Sequence, residues 1–385
     1  MNFDMFMAGR ISFGAGVSAT VGEKAKALGA SKVMLVTDET MVSIGTAERI
    51  TSYLEEAGLS VETFSQVEPE PSVETVDLAA DRLKATGCDL VVGLGGGSSM
   101  DVAKAVSVLA TNEGSAGAYQ GLGLVEKPGI PKITIPTTAG TGSEVTFTAV
   151  LIRKSDGVKG GINSDYLYPD CSLLDPELTL SMPKKVTTET GMDALAHALE
   201  AYTSRQASPF SDTMAEAAIA RIGRYLRVAA LNGNDIEARS EMMLAALFGG
   251  VALANAGVTA CHSMAYPLGA VFGVGHGLSN ALLLPYVVRF NAMAAPEKFA
   301  RAAELLGGTN YSEGLFDRAV DCADRLDELV HDLDLPTNLR ELEVGIAPEN
   351  FEDMAKRAMA VARPMENNPR DITLEQVISI YEEAF

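Results

Sequence analysis

"DLVVGLGGGSSMD", residues 89–101, decides the fold class of this 385-residue chain. Asp89–Val92 opens a short β-branched strand. Three consecutive glycines, Gly95, Gly96 and Gly97, then turn the chain into a helix. Ser98 stands at the expected N-cap and Asp101 three residues on, which is capping-box spacing. Glycines let backbone N–H groups approach an anion, and a helix N-terminus adds partial positive charge, so a phosphate or pyrophosphate site is the functional reading. A tight strand-to-helix turn is the plainer one.

The surrounding pattern repeats this unit. "KVMLVTD" (32–38), a helix over roughly 44–58, "SVETF" (60–64), a helix over roughly 73–86 and "KITIPTT" (132–138) alternate up to about residue 180. Such alternation predicts βαβ units and a mainly parallel, Rossmann-like sheet. From about 183 onward strand-like runs give way to helical spacing, with Pro176 and Pro183 punctuating the change. The expected organisation is therefore an α/β domain over 1–180 and an all-helical domain over 181–385. Ligands of two-domain α/β proteins commonly lie between domains or at strand C-terminal ends.

The glycine loop does not have the usual dinucleotide signature. Counting G-x-G-x-x-G from Gly93 places Ser98 where the last glycine belongs, and no Lys-Ser/Thr pair follows as in a P-loop. Asp38, at the end of "KVMLVTD", could accept ribose hydroxyls, although it precedes the glycines by nearly 60 residues instead of following them by about 20. A helix cap is the alternative for that carboxylate. "IPTTAGTGSEVTFT" (135–148) adds Thr137, Thr138, Thr141, Ser143, Thr146 and Thr148, whose hydroxyls suit a nucleotide lining or a Thr-rich hairpin. Lys159 is a candidate phosphate counter-charge.

The helical half carries a different chemistry. In "GMDALAHALE" (191–200), Asp193 and His197 stand four apart among Ala, Leu and Met, so a helix would present both on one face. Spacing alone is weak evidence, because "DCADRLDELVHDLDL" (321–335) repeats it at Asp327 and His331 on what reads as a solvated face. Apolar surroundings distinguish the first pair: a carboxylate buried there needs a cation or a full set of hydrogen bonds. His262 and His276 complete an oxygen-plus-three-nitrogen set that suits Fe2+ or Zn2+.

Composition bounds the remaining choices. A net charge of −21 disfavours nucleic acid and anionic membrane as partners. Cys88, Cys171, Cys261 and Cys322 form no CxxC pair, no apolar run reaches the roughly 18 residues of a spanning helix, and the N-terminus lacks signal-peptide form, so a cytoplasmic protein is expected.

Four segments together, "GGGSSMDVAK", "IPTTAGTGSEVT", "GMDALAHALEAY" and "HSMAYPLGAVFGVGHG", resemble the iron-containing (group III) alcohol dehydrogenases. The likeness runs from "ISFGAG" to "NPRDITLEQVISIYEEAF". The resemblance implies that 1–180 is a dinucleotide-binding domain for NAD and 181–385 a metal-binding and substrate domain, with a divalent metal, iron foremost, held by Asp193, His197, His262 and His276. It also implies cofactor contacts at Asp38, Gly96, Gly97, Ser98, Thr137, Thr138, Thr141, Thr146, Thr148, Lys159 and Leu178. Many members carry a histidine four residues after the third ligand, assigned to the proton path; here that position is Tyr266, a candidate catalytic hydroxyl. The implied activity is hydride transfer between NAD(H) and a small alcohol, diol or short aldehyde carrying an anionic group, in a homodimer or larger homo-oligomer. Competing expectations are a non-redox lyase resembling dehydroquinate synthase, a hydroxyacid–oxoacid transhydrogenase, and a metal-stabilised binding protein without turnover.

Overall fold

The computed structural model describes residues 2–308 and 314–385. The chain divides into two compact units. One holds 7–138 and 142–181; the other holds 182–385 together with Ala139–Thr141 and the residues up to Phe6.

The α/β unit is built on a six-stranded sheet. Its strands are β1 (Arg10–Phe13), β2 (Lys32–Val36), β3 (Ser60–Phe64), β4 (Leu90–Gly95), β6 (Lys132–Pro136) and β9 (Cys171–Leu174). They lie in the order β1-β9-β6-β4-β2-β3, every pair parallel. Parallel strands need crossovers, and helices fill both faces, which is why β2 and β4 read as nearly continuous apolar runs. Alternation divides β2 between two cores: Met34 and Val36 pack on one face with Val76, Val102 and Val106, while Val33 and Leu35 pack on the other with Ile50, Leu54 and Ile135. A smaller sheet of β5 (Gly121–Leu122), β7 (Thr148–Arg153) and β8 (Val158–Asn163) has the order β5-β8-β7, with an antiparallel β7–β8 hairpin.

The strand order explains the distant Asp38. The chain leaves β2 toward β3 and then returns to β4 on the other side of β2, so the sheet switches direction between β2 and β4, with Val36 opposite Gly93. Carboxyl ends of strands at such a switch point form the usual ligand crevice. Asp38 and Gly95 therefore emerge side by side, although 57 residues separate them in the chain.

One local expectation is corrected. The helix Gly97–Leu109 is capped by Gly96, with no side-chain cap bond, so Ser98 lies inside the first turn. Asp101 makes no capping box because its carboxylate is engaged elsewhere: it accepts from Ser143 Oγ at 2.6 Å and from the Val150 N–H at 2.9 Å. The helix expected over 44–58 is observed as Thr46–Glu56, preceded by a separate short helix, Glu39–Ser43. Gly45, at φ 77°, parts the two in a left-handed conformation that favours glycine.

The second unit is helical. Its longer members are Lys184–Thr203, Pro209–Leu231, Ile236–Ala256, Ala260–Phe272, His276–Asn291 and Leu315–Asp332. Residues 191–203 of the first are buried without interruption, which accounts for the Ala and Leu around Asp193 and His197. Asp327 instead lies on an exposed face and pairs with Arg289 at 2.9 Å. Among the described residues no single helix is long and apolar enough to cross a membrane.

Candidate active site

Helix Lys184–Thr203 carries Asp193 and His197, helix Ala260–Phe272 carries His262 in its first turn, and His276 opens helix His276–Asn291. One ligand atom each from Asp193, His262 and His276 lies within 4.8 Å of the other two. Asp193 Oδ1 is 3.8 Å from His262 Nε2 and 3.6 Å from His276 Nε2. Bonds of about 2.1 Å in tetrahedral geometry place ligand atoms about 3.4 Å apart, so the spacing fits one divalent ion. His197 stands at one remove, its Nδ1 4.0 Å from Asp193 Oδ2 and its ring stacked on His262 at 4.7 Å. That Nδ1 is buried and has no hydrogen-bond partner among the described residues.

The electrostatics fit the same ion. Burial pushes the Asp193 carboxyl up, but the charges of His197, His276 and His262 and the Asn280 amide outweigh it and hold it down at about 2. Burial also lowers the His197 imidazole, against the pull of Asp193. A buried carboxylate facing imidazole rings is the donor set a divalent cation takes. Asn280 donates to Asp193 Oδ1 at 2.8 Å and was not singled out in the sequence. Neither was Glu200, which hydrogen-bonds His262 Nδ1. Its only sequence signal is its place seven residues after Asp193, two turns along the same helix face. Tyr266, one turn after His262, stacks on His276 with ring centroids 6.0 Å apart.

In the α/β unit, the glycine turn is shaped by close approach. Gly95 has φ 142°, and a Cβ there would lie 2.7 Å from Ser99 Oγ and 3.0 Å from Asp38 Oδ2. Gly96 faces Thr138, while Thr137 donates its N–H to the Gly95 carbonyl at 3.0 Å. Asp38 serves two groups: Oδ1 accepts from the Met41 N–H at 3.0 Å, capping the next helix, and Oδ2 accepts from Ser99 Oγ at 3.3 Å. Of the two sequence readings of that carboxylate, the helix cap is the one observed here. Lys159 pairs with Glu70 at 2.8 Å, and Leu178 is buried in the apolar core below the sheet.

Lys104 ties the Thr-rich segment to the glycine helix. It is fully buried, and its ammonium reaches Asp101 Oδ1 and the Ser143 carbonyl, each at 3.0 Å, Thr146 Oγ1 at 3.3 Å, and the Thr148 carbonyl. Segment 143–148 is therefore a short 3-10 turn leading into β7 and pinned from below.

Two family models match consecutive parts of the chain: iron-containing alcohol dehydrogenase over residues 8–176 and the C-terminal part of the Fe-containing alcohol dehydrogenase family over 187–385. This chain belongs to the iron-containing alcohol dehydrogenases. Long-chain-alcohol dehydrogenase 1 of Geobacillus thermodenitrificans is 41% identical, over 94% of this chain and 91% of that one. A crystal structure of 1,3-propanediol oxidoreductase superposes with a TM-score of 0.97 at 37% identity, covering 100% of both chains. Sulfoacetaldehyde reductase from Bifidobacterium kashiwanohense in complex with NAD+ superposes with a TM-score of 0.90 at 31% identity, over 100% of this chain and 99% of that one.

In this iron-containing alcohol dehydrogenase, Glu144 of the pinned segment is a buried carboxyl pushed up to about 7 by burial, against its own backbone N–H and the charge of Lys104. A carboxyl whose pKa is higher folded than unfolded favours the folded state when protonated. Its contribution is complete below the unfolded value of 4.5 and is lost as pH rises toward 7. Glu144→Gln should therefore be more stable than wild type at pH 8, by up to about 3 kcal/mol, and nearly as stable as wild type at pH 4.5. Equal differences at both pH values in calorimetry would contradict a titrating Glu144.

Proposed function

We propose that the protein interconverts a short alcohol or diol and its aldehyde with NAD(H) as the redox partner and a divalent metal, iron foremost, in the helical unit. The convergence of Asp193, His262 and His276 carries this reading. A bound divalent ion supplies Lewis acidity toward an alcohol or carbonyl oxygen, and a nicotinamide supplies or accepts hydride. The Asp193 carboxylate and the Nε2 atoms of His262 and His276 hold the ion, and His197 is the fourth ligand. The Tyr266 hydroxyl passes the proton, since a phenol can both donate and accept a hydrogen bond. Gly96, Gly97, Ser98 and the N-terminal amides of helix Gly97–Leu109 receive the pyrophosphate. Thr137, Thr138, Thr141, Thr146 and Thr148 line the nucleotide, with Lys159 as a counter-charge and Leu178 as an apolar wall. The relatives' names place long-chain alcohols, 1,3-propanediol and sulfoacetaldehyde within the range to test. We place the enzyme in the cytoplasm as a homo-oligomer; its four free, buried cysteines suit a reducing compartment.

The test is a panel of these alcohols and aldehydes with iron- or zinc-loaded protein, following NADH absorbance. Turnover that disappears with chelator and returns with metal supports the reading. No turnover on any member in either direction would overturn it.

Cofactor choice gives a separate expectation. The Asp38 charge repels a 2′-phosphate, so NADH should be preferred over NADPH, and Asp38→Gly should reduce that preference about tenfold, near 1.4 kcal/mol. Glycine is the informative replacement because it costs the following helix only a few tenths of a kcal/mol as a cap. Measured kcat/KM ratios for the two cofactors check this; wild-type protein that uses both equally removes Asp38 from the ribose.

A further inference from the structure

Glu200 is buried at 3% exposure, on the same helix face as Asp193, and every neighbour that approaches its carboxylate is a donor. Oε1 accepts from Thr259 N at 3.1 Å, Thr259 Oγ1 at 2.7 Å, Cys261 N at 2.9 Å and His262 N at 3.4 Å. Oε2 is hydrogen-bonded to His262 Nδ1. The amides belong to the start of helix Ala260–Phe272, whose own N-cap, Thr259, makes no side-chain cap bond. Glu200 therefore caps that helix from another helix, and the same carboxylate grips the imidazole two positions inside it.

We propose that Glu200 is a positioning residue that fixes His262 in the tautomer with its proton on Nδ1. An ionised carboxylate only accepts, so the ring nitrogen facing it must be the one that carries hydrogen. The other nitrogen, Nε2, then keeps its lone pair, and it is this atom that lies 3.8 Å from Asp193 Oδ1. A neutral imidazole has one such lone pair, so the tautomer decides whether His262 can ligate from the side that faces Asp193 and His276. Two anchors, the helix amides and the ring, also leave His262 little rotation about its own side chain. This assignment rests on the metal reading above.

Glu200→Gln tests it with nearly unchanged volume. The Gln carbonyl can take over the Thr259 and Cys261 donors, but its amide then points N–H at His262 Nδ1 and favours the proton on Nε2. With full-length protein, Zn2+ affinity measured by chelator competition should fall about 10- to 100-fold, while the far-ultraviolet circular dichroism is unchanged. The chain has only four histidines, so 15N-histidine NMR reads the tautomer directly, the His262 signals being those lost in His262→Ala. Wild type should show a protonated Nδ1 and an unprotonated Nε2, and the Gln variant the reverse.

A wild-type His262 protonated on Nε2 overturns the proposal without any variant, even if the Gln variant fails to fold. Unchanged Zn2+ affinity in the Gln variant overturns Glu200 alone, leaving the metal reading intact. Wild-type protein that binds no Zn2+, iron or cobalt would overturn the metal reading and this assignment with it.

Discussion

His262→Ala should strip the metal from the protein and abolish turnover in parallel, each by about a hundredfold or more. Loss of an outer partner of a ligand already costs 10- to 100-fold, and a direct ligand costs more. The side chain is buried between the His197 and His276 rings, so truncation also leaves Asp193 with one neighbour fewer to offset its charge. Metal content by mass spectrometry and kcat/KM on the same preparation should fall together while circular dichroism shows the helices intact. His331→Ala, in the solvated repeat of the spacing, should change neither quantity. Full metal occupancy in His262→Ala would remove that residue from the ligand set; metal loss in His331→Ala would mean that the wrong Asp–His pair was chosen.

Lys104→Met should be the most destabilising single change in the α/β unit, by about 3–5 kcal/mol, the range for removing one partner of a buried ion pair. Methionine fills much of the volume but leaves the Asp101 carboxylate uncompensated and the Ser143 and Thr148 carbonyls without their donor. Burial already lowers the pKa of this lysine, against the opposing pull of Asp101 and Glu144. Because the ammonium pins segment 143–148, affinity for NADH should fall at least about tenfold, more than the stability loss alone conveys when measured well below the melting temperature. Urea unfolding and NADH fluorescence titration give the two numbers. A stability change under about 1 kcal/mol with unchanged NADH affinity would show that the segment holds its shape without the lysine.

The α/β class was legible because period is a property of sequence: β2 and β4 are apolar on both faces, and their helices carry caps and turns that punctuate them. The metal candidates were legible for a related reason, since a carboxylate among alanines and leucines has few physical excuses. Glu200 was not, because its partners are amides and a ring 59 to 62 residues away, and an acid near a helix end ordinarily reads as solvated. Ser98 looked like a cap because Asp101 has capping-box spacing, yet Asp101 is committed to Ser143, Val150 and Lys104. The β7–β8 hairpin escaped for want of an alternating apolar pattern in "VKGGIN".

The sheet order also bears on how the protein is made. Strand β1 has β9 as its neighbour in the sheet, and Arg10 pairs with Cys171, a separation of 161 residues. During synthesis the first strand to leave the ribosome must wait for the last. Until β9 arrives, β1 and the outer side of β6 are both open backbone edges, each a template for pairing with a neighbouring chain. Most other pairings of this sheet close within a few tens of residues, so a nascent chain can assemble β2, β3, β4 and β6 while still tethered. High contact order is then concentrated in one late insertion, and the slow, aggregation-exposed interval of folding is the time that β9 takes to slip between β6 and β1.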